Sequence, residues 1–223
     1  MKNPWIIIGV IVAVLFGGAI WYSGTATEAN NEGVEIIVNV KGNPAASVTL
    51  VEYSDLQCPA CAAFQPVVSQ LLEEYGESIR FEYKHFPLPI HSYAVQAAVA
   101  AEAAGQQDKF FEYHDLLFEN QQTWASSRTP NTFFLQYASE LELDMDLFRQ
   151  HMNASMLRDK VKSELDEGRA LAVTGTPTFF LNGQRMVFDT YAAFVAQVAA
   201  VVDPSSASST EVEAVGSGIR FGL

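Results

Sequence analysis

The feature that most constrains this chain is its pair of cysteines. Its 223 residues include two, Cys58 and Cys61, which lie three positions apart in the segment DLQCPAC of residues 55–61. A small secreted fold that is held together by disulfides distributes its cysteines along the chain, and here none is left for such a framework. The two cysteines therefore act together.

The surrounding sequence places this pair where a strand ends and a helix begins. Residues 47–53 are rich in strand-forming side chains, and residues 59–75 repeat apolar side chains at helical spacing. Pro59 suits the first position of that helix, so Cys58 lies at the helix N-terminus, where unpaired N–H groups and the helix dipole stabilise a thiolate. Such a position can lower a thiol pKa from about 8.5 to roughly 3.5–7.5. Cys61 follows one turn later, so we expect Cys58 to attack and Cys61 to resolve the mixed disulfide.

Two other interpretations of the pair are a zinc half-site and a structural disulfide. Zinc usually needs four ligands, and the nearby sequence offers His85 and His91 as the remaining candidates. A disulfide that closes so short a loop would restrict the unfolded chain little. We therefore favour a redox-active pair and expect neither a metal nor another cofactor.

The order of the predicted elements describes an α/β fold. Helices are predicted over residues 59–75 and 191–202, and strands over residues 35–40, 47–53, 79–85, 178–181 and 185–188. From about residue 90 to residue 172 the pattern is all-helical. The chain therefore combines a strand–helix–strand unit with a strand–strand–helix unit, and an all-helical insertion separates them.

The amino-terminal sequence predicts a single transmembrane helix. Residues 5–22 are apolar and would span roughly 27 Å as a helix, close to the hydrocarbon thickness of about 30 Å. A cleaved secretory signal is the alternative, but its apolar core is usually shorter. A lysine before the run and glutamates after it place the amino terminus in the cytoplasm and the rest outside. The expected divisions are a cytoplasmic segment at 1–4, a membrane anchor at 5–22, a linker at 23–34, a folded domain at 35–203 and a flexible tail at 204–223.

Composition supports a folded domain and excludes one class of partner. Hydrophobic residues make up 49% of the chain and charged residues 17%, which is enough apolar material for a core. The net charge of −13 argues against nucleic-acid binding, because a protein that binds phosphates needs a basic surface.

A second motif, Thr176-Pro177, lies just before the strand predicted at residues 178–181. The bond before such a proline can be cis, which is uncommon and usually serves a tight structural purpose. A trans proline that opens an edge strand would have the same sequence. The motif gains weight because it accompanies a CxxC segment on a strand–helix–strand unit.

Together these motifs resemble the DsbA-like family of thiol–disulfide oxidoreductases, which have a thioredoxin-like fold with a helical insertion. The resemblance covers about residues 42–203 and is closest to membrane-anchored members. It is carried by VEYSD at residues 51–55 before CPAC, by YKHFPL at residues 83–88 and by TPT at residues 176–178.

The resemblance implies roles for several residues. Pro177 would be cis beside the cysteine pair, and Thr176 would offer backbone groups to an extended substrate next to Pro59 and Ala60. Glu52 would be a buried acid that pairs with Lys84 and relays protons to the resolving thiol. The residue pattern alone leaves open that Glu52 lies at a wet end of the sheet and that Lys84 is solvated.

One position departs from the family pattern. Strongly oxidising members carry histidine before the second cysteine, where this chain has Ala60. A histidine helps to stabilise the thiolate and alanine cannot. We therefore expect a reduction potential between the values of about −270 mV for thioredoxin and −120 mV for DsbA.

These observations predict a cell-membrane protein with its catalytic domain on the extracytoplasmic side. We expect a monomer that oxidises unfolded exported proteins and is reoxidised by a quinone-linked membrane partner. A reductase or isomerase kept reduced by a membrane donor, and a tethered holdase whose redox pair is secondary, are the alternatives. Trp124 could line a substrate groove, whereas structural roles are expected for the four histidines, His85, His91, His114 and His151.

Overall fold

The computed structural model describes residues 4–204, apart from some side chains of the first helix. Its strands are β1 (Asn39–Gly42), β2 (Val48–Ser54), β3 (Ile79–His85), β4 (Thr178–Leu181) and β5 (Gln184–Arg185). Its helices are α1 (Pro4–Asn31), α2 (Pro59–Tyr75), α3 (Ala94–Gly105), α4 (Phe110–Glu119), α5 (Gln121–Ala125), α6 (Pro130–Glu140), α7 (Met145–Met152), α8 (Ser155–Ala170) and α9 (Tyr191–Val202).

The strands form one mixed sheet in the order β1-β3-β2-β4-β5. β2 and β3 are parallel and are joined by α2, whereas β1 pairs with β3, β4 with β2, and β5 with β4 in antiparallel fashion. The β4–β5 turn uses Asn182 and Gly183 at φ angles of 50° and 78°, the conformation that an Asn-Gly hairpin favours. The predicted α/β fold is confirmed, and α3 to α8 form the helical insertion between β3 and β4.

The alternation of side chains gives the sheet two distinct faces. On one face, which we call the α2 face, Phe64 of α2 packs against Phe179 with ring centroids 4.9 Å apart. On the other, the α8 face, Tyr53 packs against Phe86 at 6.3 Å. Gly168 of α8 lies so close to these two rings that an added Cβ would come within 2.9 Å of both. Successive residues of β2 therefore serve separate parts of the core.

The insertion differs from its predicted outline at one aromatic residue. Residues around 121–125 form the short helix α5, in which Trp124 is fully buried and donates its indole N–H to the carbonyl of Leu117 at 2.7 Å. The suggestion that Trp124 lines a substrate groove is therefore wrong. A buried indole with a paired N–H is core material.

Two strand predictions need correction. β1 begins at Asn39 instead of residue 35, and residues 36–38 are exposed. The strand starts there because Asn39 is the first residue that pairs with β3, and its side chain also donates to Glu102 at 2.7 Å. β5 is shorter than the predicted 185–188 and covers Gln184 and Arg185.

The amino-terminal helix is longer than the predicted span. α1 continues through most of the expected linker, residues 23–34, and ends at Asn31. Its end docks on the insertion, where Asn31 donates to Ser155 at 2.9 Å and Gln150 donates to the carbonyl of Ala29 at 2.8 Å. Within residues 4–204, no helix meets the length and apolarity required of a membrane span, so the anchor expected at 5–22 gains no support. Most of the tail predicted at 204–223 lies outside the described residues, as do residues 1–3.

Candidate active site

Cys58 and Cys61 open helix α2 at the carboxyl end of strand β2. Cys58 is the N-cap residue, Pro59 occupies the first turn, and the carbonyl of Cys58 accepts the first helical hydrogen bond, from Ala62 at 3.1 Å. Both cysteines are free thiols. Cys58 is 7% exposed and Cys61 is 1% exposed, so the first sulfur is nearer to solvent and the second is part of the core.

The loop before β4 lies beside Cys58. The Thr176–Pro177 peptide bond is cis, and the thiol of Cys58 donates a hydrogen bond to the carbonyl oxygen of Thr176 over 3.6 Å. The hydroxyl of Thr176 is buried and has no hydrogen-bond partner among the residues described, so it is available to the Cys58 sulfur. The structure thus brings together the two motifs that lie far apart in the sequence.

The environment of the two sulfurs separates their acidities. A hydrogen bond from Cys61 lowers the pKa of Cys58 to about 5, against the opposing effect of burial, and hydrogen bonds from Thr176 and from the backbone N–H groups of Cys61 and Ala60 lower it further. Burial raises the pKa of Cys61 well above its ordinary value, and the hydrogen bond to Cys58 adds to this. Reduced protein at neutral pH therefore has a thiolate at Cys58 and a thiol at Cys61.

Polar side chains from β2 and its following loop hold the active-site loop in place. Oδ1 of Asp55 accepts a hydrogen bond from the backbone N–H of Gln57 at 2.7 Å. Its Oδ2 accepts from the backbone N–H of Leu88 at 2.8 Å and lies 2.7 Å from Nδ1 of His91. The side chain of Gln57 in turn accepts from the backbone N–H of Tyr93 at 2.7 Å. These contacts connect the cysteine loop to the segment that enters the helical insertion.

Gln121 of α5, in the helical insertion, also holds the active-site loop in place. Its amide donates to the carbonyls of Leu56 at 2.8 Å and of Cys58 at 3.0 Å. The sequence analysis did not identify Gln121, because its partners lie more than 60 positions away and no local pattern marks it. Asp55 lies three residues before Cys58, and this proximity could have marked it as a residue of the active-site loop.

Glu52 lies under the active site on the α2 face, and it is 5% exposed. Burial raises the pKa of Glu52 to about 7; a hydrogen bond with Ser54 lowers it, and the negative charge of Cys58 raises it. The charge of Glu52 also contributes to the raised pKa of Cys61, so the carboxyl and the resolving thiol interact. The interpretation of Glu52 as a residue at a wet sheet end is wrong.

Lys84 does not pair with Glu52. The register sets Glu52 opposite Tyr83 and sets Lys84 opposite Tyr53, so Lys84 projects from the α8 face. There its ammonium lies 2.6 Å from both carboxylate oxygens of Glu167. The implied pairing is therefore corrected: alternation along β3 places Lys84 on the side of the sheet away from the cysteines.

One cluster has the side-chain types of a metal site. His85, Glu102 and Glu164 each present a ligand atom, and these atoms lie within 4.8 Å of one another. The ammonium group of Lys160 already hydrogen-bonds Glu102 and lies 3.3 Å from Glu164. The fixed positive charge of a buried lysine thus sits among the carboxylates, which makes this cluster a structural ion network.

An open groove of about 470 Å³ adjoins the cysteine pair. It is bounded by Ala60 and Phe64 on α2, by Thr176 and Pro177 on the loop, and by the 83% exposed side chain of Val187. Pro59 is exposed at the start of the same helix. The surface next to Cys58 is therefore largely apolar, with backbone groups of the loop on one side.

Comparisons with known proteins agree with this arrangement. The model of a family described as thioredoxin matches residues 38–200. A relative called Na⁺/H⁺ antiporter NhaA 3, from Salinispora tropica, is 41% identical over 148 residues, which are 66% of this chain and 22% of that protein. The chain thus spans less than a quarter of the length of the curated relatives it matches.

Solved structures show the same architecture. A thioredoxin-like oxidoreductase from Silicibacter pomeroyi DSS-3 is 25% identical with a TM-score of 0.64, and the alignment covers 75% of this chain and 93% of that one. BdbD from Bacillus subtilis, crystallised in its oxidised form, is 20% identical with a TM-score of 0.63, and the alignment covers 75% and 92%. At 20% identity, the similarity to BdbD supports the fold alone.

Proposed function

Because this chain belongs to the thioredoxin family and has the fold of its DsbA-like members, we propose that it exchanges disulfides with exported proteins through Cys58 and Cys61. The family resemblance and the enzyme class inferred from the motifs, a protein thiol–disulfide oxidoreductase, agree with these comparisons. The direction of exchange, the substrates and the cellular location are part of this proposal.

The observation that carries the proposal is the difference in acidity between the two sulfurs. Cys58 has a pKa of about 5 and is the more exposed, whereas Cys61 is buried with a pKa well above its ordinary value. A thiol of low pKa is a good leaving group as well as a thiolate at neutral pH. This asymmetry suits Cys58 to bond with substrate and Cys61 to resolve the bond.

In the oxidising direction the reaction proceeds in two exchanges. A substrate thiolate attacks Sγ of Cys58 in the disulfide form, which breaks the Cys58–Cys61 bond and leaves its electron pair on Cys61. A second substrate thiolate then attacks the substrate sulfur of the mixed disulfide and expels Cys58 as a thiolate. The substrate gains a disulfide and loses two electrons, and the cysteine pair is left reduced.

The low pKa of Cys58 favours this direction. Stabilising the thiolate stabilises the reduced form, and this makes the disulfide a stronger oxidant. Ala60 withholds the additional stabilisation that histidine would give at that position. The protein is therefore an oxidase of intermediate strength, which a quinone-linked membrane partner would have to reoxidise.

Substrate binding is assigned to the groove beside the pair. The backbone of Thr176 borders it next to Cys58, and it suits an extended peptide that adds as a strand. Pro177, Pro59 and Ala60 supply apolar surface around the sulfur. An unfolded substrate offers both the free backbone and the exposed cysteine that this arrangement requires.

Glu52 is proposed to exchange a proton with Cys61: it protonates the Cys61 thiolate that the oxidising reaction releases, and it accepts the proton when Cys61 attacks in the reverse direction. A thiol must lose its proton before it attacks, and a carboxyl with a pKa of about 7 can both take and release protons at neutral pH. The interaction between the two groups supports this role. Lys84, on the opposite face of the sheet, has no part in it.

We also propose that the amino-terminal region tethers the domain to the extracytoplasmic side of the membrane. The argument is the apolar sequence of residues 5–22, together with the exposure of large apolar side chains on α1 such as Ile11, Leu15 and Phe16. Washing membranes at alkaline pH and treating intact cells with protease would test this. Release of the full chain by the wash would contradict the tether.

The redox state of the pair in cells tests the proposed direction. Cells are quenched with acid, thiols are alkylated, and the modified protein is separated by mass. An oxidase is found mostly oxidised, whereas a predominantly reduced pair would indicate the reductase or isomerase instead. In parallel, replacing Cys58 and Cys61 together with serine should abolish oxidation of reduced, unfolded ribonuclease; a holdase would keep its ability to suppress aggregation.

A further inference from the structure

Glu52 lines a small cavity in the interior of the protein. The cavity lies between β1, β2, α2 and α4, and its polar lining includes Lys41, Gln65, His114 and Asp115 in addition to Glu52. Its water-accessible volume is about 10 Å³, close to the minimum that one water molecule needs. The cavity therefore has room for about one water molecule and none for a larger ligand.

The outer end of the cavity is a hydrogen-bonded pair on α4. Nδ1 of His114 lies 2.8 Å from Oδ1 of Asp115, and this oxygen also accepts from Gln65 at 2.9 Å. The other oxygen of Asp115 lies 3.7 Å from the ammonium of Lys41. The His114 side chain is 7% exposed and that of Asp115 is 31% exposed, so the pair extends from the core to solvent.

Groups from every neighbouring element face this pair. The ring of Tyr83 on β3 packs edge-on against His114 with centroids 4.7 Å apart. Burial lowers the pKa of His114, and the charges of Lys41 and His85 also lower it, while Asp115 raises it. His114 is thus neutral at pH 7, and a neutral imidazole can accept a proton at one nitrogen and donate at the other.

We propose that His114 and Asp115 connect Glu52 to solvent and so control how fast Cys61 loses its proton. This inference rests on the proposed function and adds two positioning residues that act through Glu52. In the reverse direction, in which Cys61 resolves a mixed disulfide, the thiol of Cys61 passes its proton to the carboxylate of Glu52, leaving a thiolate that attacks Cys58 and expels the substrate thiolate. Glu52 then returns to the carboxylate by passing the proton through a water in the cavity to His114, and from there to Asp115 and bulk water.

The sheet register explains why the path would run this way. Lys84, which a sequence comparison would pair with Glu52, lies on the opposite face with Glu167. The residue opposite Glu52 on β3 is Tyr83, and burial raises its pKa well above the ordinary value, so its hydroxyl stays protonated at neutral pH. At the outer end of the cavity lies the titratable pair His114–Asp115, with the ammonium of Lys41 beside it.

The test is the rate at which Cys61 resolves a mixed disulfide between Cys58 and glutathione, measured in the full chain by rapid acid quench and mass analysis across pH. His114→Gln and Asp115→Asn should each slow this step about a hundredfold at pH 7, the lower end of the range for proton-transfer groups. The rate of alkylation of Cys58 should stay unchanged. Glu112→Gln, an exposed charge change on the same helix, is the matched control and should keep the wild-type rate.

Chemical rescue separates proton transfer from packing. Added imidazole should restore the rate of His114→Ala, which a merely structural role would not allow. Should His114→Gln unfold, Asp115→Asn still tests the path, because its side chain is partly exposed. Wild-type rates in both variants, with Glu52→Gln slowed, would overturn the path through α4 and leave the proposed function standing. Failure of the wild-type protein to form any glutathione adduct would overturn the proposed function itself.

Discussion

Replacing Thr176 with valine removes one hydroxyl beside the Cys58 sulfur and preserves the shape of the side chain. That hydroxyl is buried, and its hydrogen bond lowers the pKa of Cys58. A hydrogen bond to a charged group contributes about 1.5–3 kcal/mol, and each pKa unit corresponds to about 1.4 kcal/mol. The variant should therefore raise the pKa of Cys58 from about 5 to between about 6 and 7.

The same substitution should make the protein a weaker oxidant. Thioredoxin combines a cysteine pKa of about 7 with a potential of about −270 mV, so a pKa two units lower adds about 60 mV. The wild-type protein should then have a potential of about −210 mV at pH 7, between the two reference proteins. Loss of the Thr176 hydroxyl should lower this by about 30–60 mV, because 30 mV corresponds to about 1.4 kcal/mol.

The assay is equilibration with glutathione buffers, followed by acid quench and separation of oxidised from reduced protein. Thr174→Val is the matched control, because it makes the same chemical change at an exposed position of the same loop and should leave the potential unchanged. Equal potentials for Thr176→Val and wild type would refute the assignment of the hydroxyl to the thiolate. A wild-type potential at either reference value would refute the intermediate strength.

Three further predictions concern stability. Glu52→Gln should raise the free energy of unfolding of reduced protein by about 3 kcal/mol above pH 7. The pKa of this buried acid is raised from 4.5 to about 7, so the folded wild-type protein binds the proton more tightly than the unfolded chain and loses stability as pH rises between those values. Urea titrations that show the same difference between variant and wild type at pH 4 and pH 8 would contradict this. Lys160→Met should lower the free energy of unfolding by about 3–5 kcal/mol, because it leaves Glu102 buried without its ammonium partner. Lys162→Met is the control: the Lys162 side chain is 72% exposed, and its loss should cost under about 1 kcal/mol. Equal urea midpoints for the two variants would argue against a structural network. Gly168→Ala should destabilise by about 1–3 kcal/mol, since its Cβ would meet two aromatic rings at 2.9 Å or less, and an unchanged melting temperature would show that the rings can move aside.

Elements with strong local patterns could be predicted from the sequence. Helix α2 begins at Pro59 and ends at Tyr75 as predicted, because proline marks its first turn and its apolar residues repeat at helical spacing. Strand β3 also has its predicted bounds, and its burial alternates residue by residue. The position of the cysteine pair at a helix start could also be predicted, because Pro59 directly follows Cys58.

Contacts that depend on register could not be predicted in this way. Lys84 and Tyr83 are neighbours in sequence, and the register between β2 and β3 decides which of them faces Glu52. The support that Gln121 gives to the carbonyl of Cys58 arises from packing of the insertion over the active site. Local spacing holds no information about either contact, because each joins elements whose relative position is set by the tertiary fold.

The central claim is that Cys58 is ionised at neutral pH because its surroundings stabilise the thiolate. Its most direct test is the pH dependence of alkylation of the reduced full chain, with the site of modification identified by mass. The account predicts that Cys58 is modified selectively, with a midpoint near pH 5. A midpoint near about 8.5, the value of an unperturbed cysteine, would contradict it.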